Sequence, residues 1–288
     1  MTNSITTHVA PRQANLHTHS WYCGHGTGEL SAYIQSAKDA NLALLGFSEH
    51  CPVPDHRWRN SRMDFSQLDV YVQECRTLQR KEKDITILCG FECDHDPRYV
   101  SWYREHLHEG NRADYLAFGV HYLDTPEKND TFVKKLSSDK RWLHTYTDRY
   151  INGILSGNYH FGVHPDLFGM FYTTWDAEAI SCSKSILEAA ASQNLPLEIN
   201  GYGCRKPMID TTEGKRLMYP MRQFWELATN YDVPVIVNSD AHRPEDLNLH
   251  GVGAFELADE LGLQLSGWIV ERTTENFTTL SCSSSATL

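Results

Sequence analysis

The sequence predicts an α/β fold: a closed parallel barrel of seven strands, with a metal site at the C-terminal ends of the strands. Three observations lead there. Short apolar segments alternate with stretches of helical period, which argues for parallel β/α architecture. Each apolar segment ends in side chains able to bind metal or phosphate: His17 and His19, His50, Glu92, His121, His164, Asn200, Asp240 and His242. Two ligand pairs, His17-x-His19 near the start and Asp240-x-His242 late in the chain, meet only if the first and last strands are neighbours. A barrel uses all its strand ends for function, whereas an open doubly wound sheet uses those near its switch point.

Residues Ala14 to Ser20 read as the first strand. Glu29 to Ala40 carries Leu30, Tyr33, Ile34 and Ala37 at helical spacing. Leu42 to His50 begins apolar throughout, as a strand buried on both faces does. Phe65 to Arg80 has a helical stripe of Phe65, Leu68, Val72 and Leu78, and Ile85 to Cys93 is the third strand. Tyr99 to His108 is expected to be helical, Tyr115 to Tyr122 is the fourth strand, and Trp142 to Ile154 is a helix. Tyr159 to His164 is the fifth strand. Asp176 to Gln193 is a helix with Asp176 as its N-cap, closed by Asn194-Leu195-Pro196. Leu197 to Asn200 is the sixth strand, Glu213 to Tyr231 a helix kinked at Pro220, and Val233 to Ser239 the seventh strand. Val252 to Gly262 is a closing helix, and Gln264 to Leu280 is ambiguous.

The barrel is expected to fill residues 14–280 as a single domain. Met1 to Arg12 is polar, without the apolar stretch of a signal peptide, so residues 1–13 read as a flexible arm. The Ser-rich stretch 281–288 reads as a disordered tail. No apolar run approaches the length of about 18 residues that a membrane span needs. A formal charge of −11 argues against a nucleic-acid partner, which would want a basic face. The eight cysteines include no C-x-x-C pair and read as reduced structural thiols in a cytoplasmic protein. A monomer or small homo-oligomer is expected.

On a strand, His17 and His19 share a face and can reach one ion. His25 lies in Cys23-Gly24-His25-Gly26, a loop flexible enough to fold back over the site. Glu92 ends an apolar segment, where a carboxylate is costly to bury unless paired or metal-bound. His121 and His164 each follow Gly-Val, the glycine permitting close backbone approach. The nine ligands His17, His19, His25, His50, Glu92, His121, His164, Asp240 and His242 offer N and O donors and need no thiolate. Such a set suits Zn²⁺, Mn²⁺ or Fe²⁺. Nine ligands could serve three divalent ions, with Glu92 as the candidate bridge.

These segments resemble the PHP (polymerase and histidinol phosphatase) superfamily, in particular its monofunctional histidinol-phosphatase branch. The carrying motifs are Leu16-His17-Thr18-His19-Ser20, Cys23-Gly24-His25-Gly26, Phe47-Ser48-Glu49-His50-Cys51-Pro52, Gly90-Phe91-Glu92-Cys93-Asp94, Gly119-Val120-His121-Tyr122, Gly162-Val163-His164 and Asn238-Ser239-Asp240-Ala241-His242. The resemblance implies a distorted (β/α)7 barrel with a trinuclear centre. It groups His17, His19, Glu92 and one of Asp240 or His242 around one ion. Glu92, His121 and His164 surround a second. His25, His50 and the other member of the late pair surround a third. Glu198-Ile199-Asn200-Gly201-Tyr202-Gly203-Cys204-Arg205-Lys206 resembles a sixth-strand segment of histidinol phosphatases. There Arg205 is the candidate phosphate ligand, with Lys206 and Arg243 secondary.

The expected activity is metal-dependent hydrolysis of a small phosphate monoester, L-histidinol phosphate first, with Glu92, Asp240 and His242 in the catalytic centre. Asp94, Asp166, His56 and His95 are candidate proton donors, none preferred. Glu49 points either outward or onto a ligand histidine. Trp21, Tyr22, Tyr122, Tyr172 and Tyr202 are candidates for the mouth of the site. Two alternatives stay open: a phosphoesterase acting on a nucleotide, phosphotyrosine or another small ester, and a degenerate metal-binding barrel without catalysis.

Overall fold

Seven parallel strands run in the order 235–238, 197–200, 161–162, 115–119, 86–94, 44–50, 14–15 in the computed structural model, which describes residues 4–126, 128–211, 213–273 and 278–283. The fold is a nearly closed, distorted (β/α)7 barrel. Its longest ladder joins Leu44–His50 to Thr86–Asp94, so that His50 sits beside Glu92. The first strand forms a ladder only at Ala14–Asn15, less than its sequence promised.

The seam between the last and first strands is closed mainly by side chains. Asn238 Oδ1 accepts the Leu16 N–H at 2.7 Å, and Asn15 Oδ1 accepts the Ser239 N–H at 2.7 Å. An asparagine amide offers the same acceptor as a peptide carbonyl, so the two side chains stand in for a missing ladder. The isolated bridge Thr18–Ala241 and the His19 N–H on the Ala241 carbonyl at 2.8 Å extend the seam. This stitching carries Asp240 and His242 to His17 and His19.

Alternation of side chains along each strand separates two cores. Outward residues such as Leu45, Phe47, Ile87, Phe91, Phe118, Ile199 and Val237 pack under the helices. Inward residues Leu16, Leu44, Leu88, Tyr115, Phe161 and Ile236 fill the lower barrel. Tyr115 occupies the space that Gly46 and Gly90 leave beside it, and its hydroxyl donates to the Leu16 carbonyl at 2.8 Å. Further along, the inward positions turn polar: Leu44 gives way to Ser48 and His50, Leu88 to Glu92, Ile236 to Asn238 and Asp240.

Several expected helices form close to their predicted positions: Leu30–Asp39, Leu68–Lys81, Lys140–Leu155, Ala177–Ser192 and Ala254–Leu261. Asp176 caps its helix as expected, accepting the Glu178 and Ala179 N–H groups at 3.0 Å. Residues 100–108 wind helically, the latter part as a π-helix over Tyr103–His108.

Other expectations need correction. Residues 213–231 are not one kinked helix: Ile209–Thr211 pairs with Gly214–Arg216, and the helix spans only Arg222–Ala228. Proline lacks an N–H and disfavours helix in the residue before it, so the helix begins beyond Pro220. The fourth segment breaks after Gly119, and Tyr122–Leu123 pairs instead with Thr131–Phe132.

The N-terminal arm is a strand. Ser4–Val9 pairs antiparallel with Gly267–Thr273, which pairs with Thr278–Ser283. The boundary at residue 13 therefore does not separate an arm from the barrel, and the stretch expected to be disordered is strand at Ser281–Ser283, while residues 284–288 lie outside the described residues. This sheet caps the lower mouth, with Val9, Trp268, Val270 and Leu280 buried against the barrel interior. Its β-branched stretch Ile5-Thr6-Thr7 had strand character, but its pairing partner lies at the other end of the chain. Among the described residues, no helix is long and apolar enough to cross a membrane.

Candidate metal centre

The polar ends of the inward-facing rows meet at the upper mouth, around a cavity of about 350 Å³ lined by His25, His50, Glu92, His121, His164, Asp240 and His242 among others. His17 and His19 lie at its base, fully buried. All nine expected ligands therefore converge. Glu92 is central: His17, His19 and His50 face its Oε2 at 3.5, 3.3 and 2.8 Å, and His121 and His164 face its Oε1 at 3.4 and 3.1 Å. Asp240 Oδ1 stands 3.5 Å from His17 Nε2 and 3.3 Å from His19 Nε2. His242 Nε2 turns the other way, to within 3.0 Å of His25 Nε2.

The donor atoms fit a divalent ion. His17 Nε2, His19 Nε2, Glu92 Oε2 and Asp240 Oδ1 are all buried without a hydrogen-bond partner, the His50 Nδ1 beside Glu92 Oε2 being out of line for a hydrogen bond. Orphaned buried polar atoms are costly and call for an explanation. A tetrahedral ion with bonds of about 2.0–2.1 Å sets its ligand atoms about 3.3–3.4 Å apart, close to the separations seen here. His50, Glu92 and His121 form another compact group, as do His19, His50 and His242.

Local backbone serves this arrangement. His164 and Asp240 adopt positive φ, 31° and 48°, a costly conformation for a side-chain-bearing residue and one that clusters at functional sites. The His164 ring fills the space where a side chain on Gly119 would stand, which accounts for glycine two residues before His121.

Electrostatics follow from crowding. Burial opposes charge on His17, but Glu198, Asp240 and Glu92 outweigh it and raise its pKa well above the ordinary value. Burial likewise opposes His121, yet Asp94 and Glu92 lift it to about 9. Glu92 is buried, but His50, His121 and His17 hold its pKa well below the usual carboxylate range. Burial, with His50 and His242 beside them, lowers His19 well below its ordinary value and His25 to about 4.

Sequence reasoning missed the supports behind these ligands. Glu198 accepts a hydrogen bond from His17 Nδ1 at 2.8 Å and from the His164 N–H at 3.2 Å. Asp94 accepts from His121 Nδ1 at 3.0 Å and pairs with buried Arg62 at 2.6 Å. The alternation in Leu197-Glu198-Ile199-Asn200 signalled a carboxylate on the same face as Asn200. Arg62 carried no comparable signal.

The candidate proton donors separate. Asp94 is held ionised, His121 and Arg62 overcoming its burial. Asp166 is enclosed and accepts the Met221 N–H at 2.5 Å. His95 meets the Tyr159 hydroxyl at 3.1 Å, and His56 is exposed. Glu49 points outward and accepts the Ser20 N–H at 2.6 Å. Of the aromatic candidates, Tyr122 and Tyr202 line the cavity, Tyr202 stacked on His242, while Tyr22 and Tyr172 bond Glu74 and Asp176. Trp21 is half-exposed and stacks on Tyr22.

Arg205 is not where a phosphate ligand was expected. Its guanidinium donates to the carbonyls of Gly201 at 3.1 Å and Ser239 at 3.3 Å, and lies 3.8 Å from Asp246. Asp246 also accepts the His242 N–H at 3.2 Å. Arg205 thus braces the loop that carries Asp240 and His242. Its neighbour Lys206 lines the cavity instead, with Nζ 3.7 Å from the Tyr202 ring centre.

The PHP domain profile matches residues 15–201, well over half of the 288-residue chain. The chain belongs to the PHP domain family. A PHP-fold structure, histidinol phosphate phosphatase from Lactococcus lactis complexed with zinc, L-histidinol and phosphate, superposes with a TM-score of 0.65 at 20% identity. The match covers 95% of this chain and 99% of that one, and at this identity it establishes the fold. A Deinococcus radiodurans protein named "Probable histidinol-phosphatase" is 28% identical over 261 residues, 85% of this chain and 92% of its own.

Proposed function

We propose that this PHP protein is a metal-dependent phosphate monoester hydrolase that converts L-histidinol phosphate and water to L-histidinol and phosphate. One observation carries the reading: four unpartnered buried donor atoms, of His17, His19, Glu92 and Asp240, converge at the floor of an open cavity. The near full-length likeness to a protein named for histidinol phosphatase supports the substrate. The same reading places the enzyme in the cytoplasm and in histidine biosynthesis.

Three divalent ions, zinc, manganese or iron(II), suit the donor set. His17, His19, Glu92 Oε2 and Asp240 would hold the first, and Glu92 Oε1, His121 and His164 the second. His25, His50 and His242 would hold the third. When bound, such ions polarise phosphoryl oxygens and make water a nucleophile at neutral pH.

The protein's own groups do the rest. Glu92 presents one oxygen to each side of the cluster and keeps neighbouring loci at a fixed spacing. Lys206 stands at the cavity wall, where burial lowers its pKa and strengthens its attraction to a phosphate oxygen. Arg62, although on the wall, is engaged by Asp94 and by the Cys51 carbonyl at 2.7 Å. Leu167, Met170, Tyr122 and Phe132 offer an apolar and aromatic wall for the organic part of the ester.

The test is kinetics on histidinol phosphate, an aryl phosphate and a nucleotide, with metal content measured on the same sample. The highest kcat/KM is expected for histidinol phosphate. Turnover of nucleotides with none of histidinol phosphate sinks the substrate assignment. Absence of both bound metal and hydrolysis after Mn²⁺ or Zn²⁺ loading sinks the enzyme itself.

A further inference from the structure

Glu198 is fully buried, and its carboxylate receives four donors: His17 Nδ1, the His164 N–H, Asn200 Nδ2 at 2.9 Å and Asn238 Nδ2 at 3.0 Å. A carboxylate that faces a ring N–H accepts from it, so Glu198 keeps the His17 proton on Nδ1 when the ring is neutral, and Nε2, which faces Glu92 and Asp240, is the nitrogen left to bind an ion. Around His17 three buried carboxylates gather, Glu92, Asp240 and Glu198. Among the described residues their ion pairs are with histidines alone. A buried charge without a compensating cation costs several kcal/mol.

The far side of Glu92 is built differently. There the carboxylate behind the ligand is Asp94, hydrogen-bonded to His121 Nδ1, and Arg62 lies 2.6 Å from it, neutralising it. Arg62 is itself buried and packs over Trp58. The locus of His25, His50 and His242 has no carboxylate of its own behind it: His50 Nδ1 meets Glu92 Oε2 at 2.8 Å and His242 Nδ1 lies 3.5 Å from Asp240 Oδ1, both carboxylates of the His17 locus. His25 Nδ1 meets the Cys23 carbonyl at 3.1 Å and His242 Nδ1 the Asp240 carbonyl at 3.0 Å, and His25 is exposed.

We propose that Glu198 is a positioning residue that makes the locus of His17, His19, Glu92 and Asp240 the most firmly held of the metal loci. It does so by fixing the His17 tautomer and by adding a carboxylate that no arginine or lysine neutralises. The inference rests on the metal-dependent reading above. It orders the loci: the Glu198-backed site retains its ion longest, and the sites backed by a neutralised carboxylate, or by no carboxylate of their own, exchange first. Outer partners of ligating histidines alter metal affinity by about 10–100-fold.

The experiment is dialysis of the zinc-loaded full-length protein against graded chelator, with metal per chain measured by elemental mass spectrometry. Wild type is expected to keep one equivalent after the others have left. Glu198→Gln keeps the shape and an acceptor oxygen but removes the charge. It should release that last equivalent at about 10–100-fold lower chelator, whereas Asp94→Asn should leave that release point where it is in wild type. If Glu198→Gln does not fold, ¹⁵N NMR of His17 in zinc-loaded wild type decides. Nδ1 protonated with Nε2 unprotonated supports the proposal, and the reverse tautomer overturns it. Simultaneous loss of all ions, or an unchanged release point in Glu198→Gln, overturns this inference while histidinol phosphate hydrolysis stands. A wild-type protein that binds no zinc overturns both.

Discussion

The two mouths of the barrel are made by the same strands, yet one stores stability and the other stores cost. At the lower mouth, Leu44, Leu88, Phe161 and Ile236 meet Val9, Trp268 and Val270 from the antiparallel sheet, and apolar surface is removed from water. At the upper mouth the same inward rows end in His50, Glu92 and Asp240, whose buried donor atoms include several without partners. A buried polar atom left unsatisfied costs about 1–3 kcal/mol. The lower end offsets that cost, and the upper end recovers it when cations arrive. The seam asparagines lie between the two regimes, satisfying backbone groups where the ladder stops.

The largest effect should come from the centre of the upper mouth. Glu92→Gln removes the charge shared by both sides of the cluster and is expected to lower turnover by about 10³-fold or more, with reduced metal content. Wild-type kinetics in this variant would break the contrast between the two ends. At the lower mouth, Trp268→Ala should destabilise by about 3–5 kcal/mol, the range for emptying a large aromatic site. Denaturant titration reads the loss, and metal content and kcat of the folded fraction should stay at wild-type values. A matching loss of metal would show the ends to be coupled.

A smaller effect is expected at the cavity wall. Lys206→Ala should reduce kcat/KM by about 1.5–3 kcal/mol, as for a charge-assisted hydrogen bond. Arg205→Ala should act instead through metal retention, because it releases the Ser239 carbonyl and Asp246. If Arg205→Ala raises KM for phosphate esters without altering metal retention, the bracing role assigned to it is wrong.

The smallest effect concerns pH in the metal-free protein. His121 has its folded pKa raised from 6.5 to about 9. It therefore contributes stability that is complete below 6.5 and lost as pH rises through about 9. His17, raised in the same direction, adds to that fall. His25, lowered to about 4, acts only on the acid side of this window. Thermal melts of the metal-free protein should decline between pH 6.5 and 9, and metal loading should flatten the decline. A rise across that window would contradict the proposed charge balance.

Much of the side-chain cluster at the upper mouth was legible because its signal is local. A histidine or carboxylate that ends an apolar run, as His50, Glu92 and His164 do, needs only the strand to be recognised. The residues that failed depend on what lies across the fold. Arg205 sits in a segment where a phosphate ligand was expected, but its direction is set by the Gly201 and Ser239 carbonyls. Ser4–Val9 looked like a free end because its partner strand, Gly267–Thr273, lies near the other terminus. Arg62 is invisible as a neutraliser until the loop after His50 folds over Asp94.

By itself the sequence determined the seven-strand β/α pattern and the polar residues that end those strands, since alternation and strand termini are properties of consecutive residues. The tertiary structure decided which atoms share a locus. It turned Asp240 toward His17 and His19 and His242 toward His25, and it placed Glu198 behind one ligand and an Arg62-neutralised Asp94 behind another. Those choices depend on where the barrel seam closes and how side chains point across it. Contacts between residues far apart in the chain exist only once the barrel has formed.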